Sequence, residues 1–273
     1  MKKLTLTLSI LCFVVILAAF NPITNTTQPI EVSKEEIHSK MLNSINYFKS
    51  AKGNFVYSDN TGIEYTVDYH VKTKDNPSSV VTMNDHGEKS TQSFNEKSSL
   101  IIDHEKEAYN ELAVPENFSK EMWAHLEKED KKPKARYQKE NGEKVYVHYV
   151  DPTQMGIAQD SLYPQSIAMG FLEDYDQWEI TDVLSKENGG LHNLDTIVIE
   201  GTLNDYYQKK HSAKTFKLWV SKDTGILLNY EEYNDTGDVV ISQITKSIKL
   251  NQNVKDRIAV PAVPKNYKKT EIY

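Results

Sequence analysis

Asp223-Thr224-Gly225 and Asp235-Thr236-Gly237 spell the aspartic-protease tripeptide twice. That chemistry needs two carboxylates sharing one proton, about 3 Å apart. Here a single strand separates the two aspartates, and at about 3.3 Å per residue it holds them about 40 Å apart. Their flanks, Ser221-Lys222 and Tyr233-Asn234, are polar, so both tripeptides read as hairpin turns. The histidines, His38, His70, His86, His104, His125, His148, His192 and His211, form no H-E-x-x-H or H-x-H pair. A zinc site needs clustered ligands, so no metal is expected. There is no G-x-S-x-G elbow, P-loop or G-x-G-x-x-G, and Gly189-Gly190 lacks phosphate-binding spacing. Glu231 and Glu232 point to opposite faces of a strand and cannot act on one substrate. The sequence therefore predicts no catalytic residue and no cofactor, and the chain reads as non-enzymatic.

What remains is an apolar segment of mixed side chains. Ser161 to Tyr175 carries Ile167, Ala168, Met169, Phe171 and Leu172, with Trp178 just beyond. Together with Trp123, Met155 and Leu162, the residues Ile167, Met169, Phe171, Leu172 and Trp178 form the candidate ligand-binding set. Thioethers and large rings adapt to variable acyl chains better than branched aliphatics do. As a helix the segment is either a core element on a sheet or a lid over an apolar cavity. A lid leaves these residues partly exposed in the empty protein, whereas a core buries them.

A β-rich frame has to position this segment. Ser33 and Glu36 have the spacing of a capping box, and Ile37, Met41, Ile45 and Phe48 follow at helical spacing to a helix end near Gly53. Ile63, Tyr65, Val67, Tyr69 and Val71 then alternate with polar residues, predicting a strand with one buried face. Further strands are predicted at 79–83, 100–103, 108–112, 144–150, 194–203, 214–220, 225–233 and 238–250. Hairpin signals with glycine stand at Gly62, Gly87, Gly142, Gly225 and Gly237. Phe118, Met122 and Leu126 form one stripe of a helix over 115–128, with Trp123 beside it. The stretch 128–144 reads as a solvated charged linker. No alternating βαβ pattern is present, so an antiparallel meander is the expected arrangement.

The 273 residues suffice for a sizeable core, and 38% hydrophobic with 26% charged residues excludes a disordered chain. A net charge of -7 gives no electrostatic basis for nucleic-acid binding. Lys2 and Lys3 precede an apolar run from Leu4 to Phe20, which reads as a secretory signal or a single uncleaved membrane anchor over 1–20. Cys12, the only cysteine, lies inside this run and follows Leu11, unlike a lipid-attachment site. Disulfides and thiolate chemistry are thereby excluded from the exported part, which fits a bacterial envelope. A tether at 21–32, one domain at 33–257 and an extended tail at 258–273 complete the expected organisation.

The C-terminal hairpins resemble those of the exported lipoprotein-carrier superfamily that includes LolA and the RseB-type regulators. Ile199-Glu200-Gly201-Thr202-Leu203 is similar to its I-x-G strand. The run Phe216 to Leu228 is similar to its f-x-l-w-v-D-x-x-T-G-l-l signature, and Glu232 to Gly237 to its second hairpin. Residues 35–55 resemble its opening helix and strand. Ser221 stands where an Asp is common, and the insert around 127–140 has no counterpart. The resemblance implies a mainly β (α+β) fold, a curved antiparallel sheet forming an incomplete β-barrel with helices closing the concave face. It implies a non-enzymatic protein holding lipid or lipoprotein acyl chains in an apolar cavity, at the outer face of the cytoplasmic membrane or secreted. The alternative is an envelope sensor that binds a protein partner, such as an anti-sigma factor, through the outer edge of the barrel.

Overall fold

Ser33 starts the first helix as its spacing predicts. In the computed structural model, which describes residues 32–128, 130–147, 151–252 and 258–270, its Oγ accepts the Glu36 amide at 3.1 Å and caps α1 (Lys34–Leu42). The reciprocal half of the capping box is replaced: Glu36 accepts from Lys40 one turn on, at 2.8 Å. The helix ends at Leu42 rather than near Gly53, and a 3-10 turn at Ser44–Asn46 carries the chain onward. Ile37, Met41, Ile45 and Phe48 are nonetheless all buried. The signal or anchor segment, Cys12 and His148 lie outside the described residues.

Six strands then run as a meander: β1 (Ser50–Asp59), β2 (Glu64–Lys72), β3 (Ser78–Asp85), β4 (Glu88–Phe94), β5 (Ser98–Asp103) and β6 (Ala108–Ala113). Each pairs antiparallel with the next. At the β3–β4 turn His86 and Gly87 both take positive φ, 47° and 98°, as the tightest hairpins require. After α2 (Phe118–Lys128) comes a small hairpin of β7 (Tyr137–Glu140) and β8 (Glu143–Tyr146), followed by α3 (Gln159–Leu162) and α4 (Gln165–Phe171). A second meander follows, of β9 (Trp178–Leu184), β10 (Thr196–Thr202), β11 (Thr215–Ser221), β12 (Leu227–Tyr233) and β13 (Val239–Leu250), with α5 (Asp205–His211) between β10 and β11.

The two meanders become one sheet because β13 pairs antiparallel with β1. The sheet runs β14-β6-β5-β4-β3-β2-β1-β13-β12-β11-β10-β9, where β14 (Lys268–Lys269) lies parallel to β6. Its end strands, β9 and β14, are not joined, so the curved sheet remains an incomplete barrel with helices over its concave face. The fold is mainly β, of the α+β type, with one short parallel pair added to the expected antiparallel arrangement.

Two apolar clusters fill the space between helices and sheet. One gathers Ile37 and Met41 of α1, Met169 and Phe171 of α4, and Ile197, Ile199, Phe216, Leu218 and Tyr230 of the second meander. The other gathers Phe48, Phe55, Val67, Val71, Met155, Leu162, Leu228 and Ile248. Gly201 permits the first cluster to close: a Cβ there would meet the Phe216 ring at 2.5 Å and the Trp178 Cβ at 2.7 Å.

Several local expectations are corrected. The apolar segment is not one helix, because Pro164 lacks an amide proton and separates α3 from α4. The 128–144 stretch is not a plain linker: it forms a 3-10 turn and most of the β7–β8 hairpin. It also holds Arg136 fully buried, donating to the Leu42 carbonyl at 3.1 Å, to Asn43 Oδ1 and to Gln165 Oε1 at 3.3 Å. Planar guanidinium groups suit such buried forks. Ile63, expected on the buried face, is 47% exposed because it belongs to the turn before β2. The C-terminal stretch contributes β14, and Tyr267 Oη meets His104 Nδ1 at 3.2 Å.

Candidate functional site

At the Pro164 break, the helices leave a cavity of about 430 Å³ over the sheet. Its floor is a row of side chains laid across four strands. Tyr230 on β12 is in register with Gln243 on β13, Gln243 with Tyr57 on β1, and Tyr57 with Tyr65 on β2. Residues in register share one face of a sheet, so the row forms a continuous surface. Tyr57, Tyr230 and Gln243 line the cavity, and Tyr65 stacks on Tyr57 with ring centroids 4.8 Å apart and planes 13° apart. The opposite wall comes from Gln159, Asp160 and Tyr163 on one side of the break and from Pro164, Gln165, Ser166 and Ile167 on the other. Leu227 completes the lining, and its carbonyl accepts from Ser161 Oγ at 2.9 Å, which pins α3 to β12.

Asp160 sets the electrostatics. Its carboxyl is enclosed by protein on most sides yet open to water through the mouth, and burial pushes its pKa up to about 6. It makes no hydrogen bond or ion pair with any described residue. Tyr57 and Tyr65 are both held above the ordinary tyrosine pKa, mainly by burial. For Tyr57 the carboxylates Asp59, Glu232 and Asp160 add to this, and for Tyr65 Asp160 adds most. Burial raises Tyr230 further, with Glu232 the next cause. Tyr230 donates to Glu232, a fully buried carboxylate that also accepts from His211 Nδ1 at 2.8 and 2.9 Å. Gln243 is only 3% exposed and its Nε2 has no hydrogen-bond partner among the described residues. A buried N–H left that way costs about 1–3 kcal/mol, which an acceptor on a ligand or an ordered water removes.

The candidate residues divide between core and cavity. Met155, Leu162, Met169, Phe171, Leu172 and Trp178 are each at most 4% exposed. Met169, Phe171, Leu172 and Trp178 pack in one cluster, Met155 and Leu162 in the other. Trp123 is half-buried beside the second cluster, donating to the Thr73 carbonyl at 3.0 Å with Lys74 Nζ over its ring at 3.2 Å. Of the eight, Ile167 lines the cavity. The structure thus takes the core alternative for the inner face of α4. The polar floor, Tyr57, Tyr230 and Gln243 beside Tyr65, escapes the sequence reading because strand register joins residues up to 186 positions apart. Tyr65 alone had a signal, as a buried-face position of the alternating β2 run.

Chemically, the site combines apolar walls with an unpaired carboxylate and aromatic faces. Among the described residues no group of histidine and carboxylate side chains is placed to hold a metal ion.

No family model matches the chain, and no curated protein matches it. Among solved structures, the MucA/MucB complex of Pseudomonas aeruginosa matches with 13% identity and a TM-score of 0.41, over 84% of this chain and 59% of the matched chain. The chain therefore spans less than two thirds of that relative. A putative outer membrane lipoprotein-sorting protein domain from Vibrio parahaemolyticus is 7% identical over 80% of this chain and 92% of its own, with a TM-score of 0.27. A LolA superfamily protein from Nitrosomonas europaea is 12% identical over 82% of this chain and 96% of its own, with a TM-score of 0.25.

Proposed function

We propose that this chain is an exported, non-enzymatic binding protein of the cell envelope that holds a lipid or lipoprotein amphiphile in the cavity at the Pro164 break. The cavity carries the reading: at about 430 Å³ it falls within the span of ligand pockets, about 300–1,000 Å³. Its lining is amphipathic, with Ile167, Leu227, Pro164 and ring faces on one hand and Asp160, Gln159 and Gln243 on the other. The apolar run from Leu4 to Phe20 behind Lys2 and Lys3 supports export. In this reading Ile167 touches the ligand, Met155, Leu162, Met169, Phe171, Leu172 and Trp178 pack in the two core clusters, and Trp123 stands half-buried at the rim of the second. Native mass spectrometry with organic extraction, on the full chain purified gently after export, tests it. A co-purifying amphiphile of defined mass is expected, and a protein that is empty and takes up no added lipid would falsify the reading.

One observation favours a protein partner as the second reading. Among the described residues β9 pairs only with β10, so beyond the Trp178 carbonyl, which accepts from Lys34 Nζ, its outer edge has no strand partner and can take an added strand. A photo-crosslinking residue at Thr181, which is exposed on that edge, then yields a discrete adduct in intact cells. The absence of any adduct there removes this reading.

A further inference from the structure

We infer that the polar end of the ligand is an organic ammonium group, seated between Asp160 and the tyrosine row, on an amphiphile whose apolar part lies against Ile167 and Leu227. This rests on the cavity being the ligand site and specifies which ligands it accepts.

Three observations converge. Asp160 is a carboxylate at the cavity wall without a cationic or hydrogen-bonding partner among the described residues. Open to water at the cavity mouth and paired with no cation there, this carboxylate is available as the counter-ion of a positive group on a ligand. Tyr57 and Tyr230 line the same cavity, with Tyr65 stacked on Tyr57, and aromatic faces attract ammonium groups through their negative quadrupole. The stacking of Tyr57 on Tyr65 fixes two of these rings in place before any ligand binds.

The charged surroundings have the same sign. Asp59, Asp85 and Glu232 act on the tyrosine row together with Asp160, and each bears a negative charge when ionised. A cation on the other side, Arg136, sits behind Gln165 and donates to Gln165 Oε1, Asn43 Oδ1 and the Leu42 carbonyl among its partners. An anionic head would therefore meet an unpaired carboxylate, whereas an ammonium meets its counter-ion. Gln243, with Nε2 unpartnered, offers a donor for an oxygen near the ammonium, as in an ethanolamine phosphodiester.

Isothermal titration calorimetry with the full chain tests this, using soluble dihexanoyl-phosphatidylethanolamine, dihexanoyl-phosphatidylglycerol, octylammonium, octanoate and free ethanolamine. The two ammonium amphiphiles are expected to bind at least about tenfold more tightly than their anionic counterparts. Asp160→Asn should abolish that preference while leaving the fold intact by circular dichroism. Because Asp160 must be ionised, affinity for octylammonium should rise between pH 5 and pH 7 in the wild type and stay flat in Asp160→Asn. Equal binding of all four amphiphiles, unchanged in the variant, overturns the ammonium inference and leaves the amphiphile reading standing. Ethanolamine binding as tightly as its lipid overturns the apolar half and assigns the site to small amines. No binding by any probe removes both.

Discussion

The two sides of the Pro164 break use adjacent residues for opposite ends. At the end of α4, Met169, Phe171 and the C-cap residue Leu172 turn inward and vanish into the first apolar cluster. There Phe171 meets Phe216 at 5.0 Å, Tyr207 at 5.1 Å and Tyr230 at 6.0 Å between ring centroids. At the break itself, Tyr163, Pro164 and Ile167 face a space that is not filled. The apolar, conformationally adaptable side chains serve packing, and the tyrosines, amides and single carboxylate serve the cavity. A stretch rich in methionine and aromatic residues is thus a poor guide to where a cavity lies when its partners are equally apolar, because such surfaces close on one another. An opening persists where a proline prevents the helix from continuing and where polar groups line the gap.

Substitutions on the two sides should separate these roles. The largest effect belongs to the filled side. Phe171→Ala leaves a hole among three rings and should lower stability by about 3–5 kcal/mol, read as a shift of the urea midpoint at unchanged slope. A loss below about 1 kcal/mol would mean that α4 is a loosely seated lid after all. Acid probes the same side. His38 of α1 is buried, with Nδ1 at 3.2 Å from Tyr175 Oη, and burial, with Arg136 adding to it, lowers its pKa to about 4. The unfolded chain takes up this proton near the ordinary value and the folded one only near 4. Stability is therefore complete above about pH 6.5 and falls as the pH drops toward 4, by about 3 kcal/mol from this group. Urea titrations at pH 7 and pH 4.5 should show a smaller acid loss in His38→Gln than in the wild type. Equal losses would place the acid sensitivity elsewhere.

The sequence made the frame legible because its signals are local. Alternation in β2, glycines at the turns and the Ser33 cap each depend on residues a few positions apart, and each appears where its spacing indicates. β4 was hidden because its buried positions include Thr91 and Ser93, whose hydroxyls do not read as an apolar face. The break at Pro164 was written in the chain but was overridden by the apolar residues around it. The cavity floor had no local signal. Tyr57, Gln243 and Tyr230 become neighbours only through the β12–β13–β1 pairing, and no periodicity within one segment encodes that register. Asp160 likewise reads as an ordinary helix-start acid, and only the fold places it at the cavity wall.

Smaller effects are expected on the open side. Ile167→Ala removes a half-buried side chain that touches the first cluster from its rim, so it should cost about 1–2 kcal/mol while weakening amphiphile uptake. An equal loss of stability to that of Phe171→Ala would erase the distinction between wall and core.

Asp160→Asn should have the smallest effect, of opposite sign. The carboxyl's pKa is raised to about 6, so the folded state holds its proton where the unfolded state has released it. That contribution is fully present below the ordinary value near 3.8 and is lost as the pH rises through 6. At pH 7 the folded protein carries an ionised, unpaired carboxylate in the cavity wall, and a neutral amide relieves it. Water at the mouth screens the charge, so the gain should be only about 0.5–1 kcal/mol at pH 7 and near zero at pH 4. Urea midpoints of wild type and variant at the two pH values read it directly. A variant less stable than the wild type at pH 7 would mean that the carboxylate already has a structural partner in the folded chain. A variant more stable but poorer at binding is the signature of a group kept for its ligand at the expense of the fold.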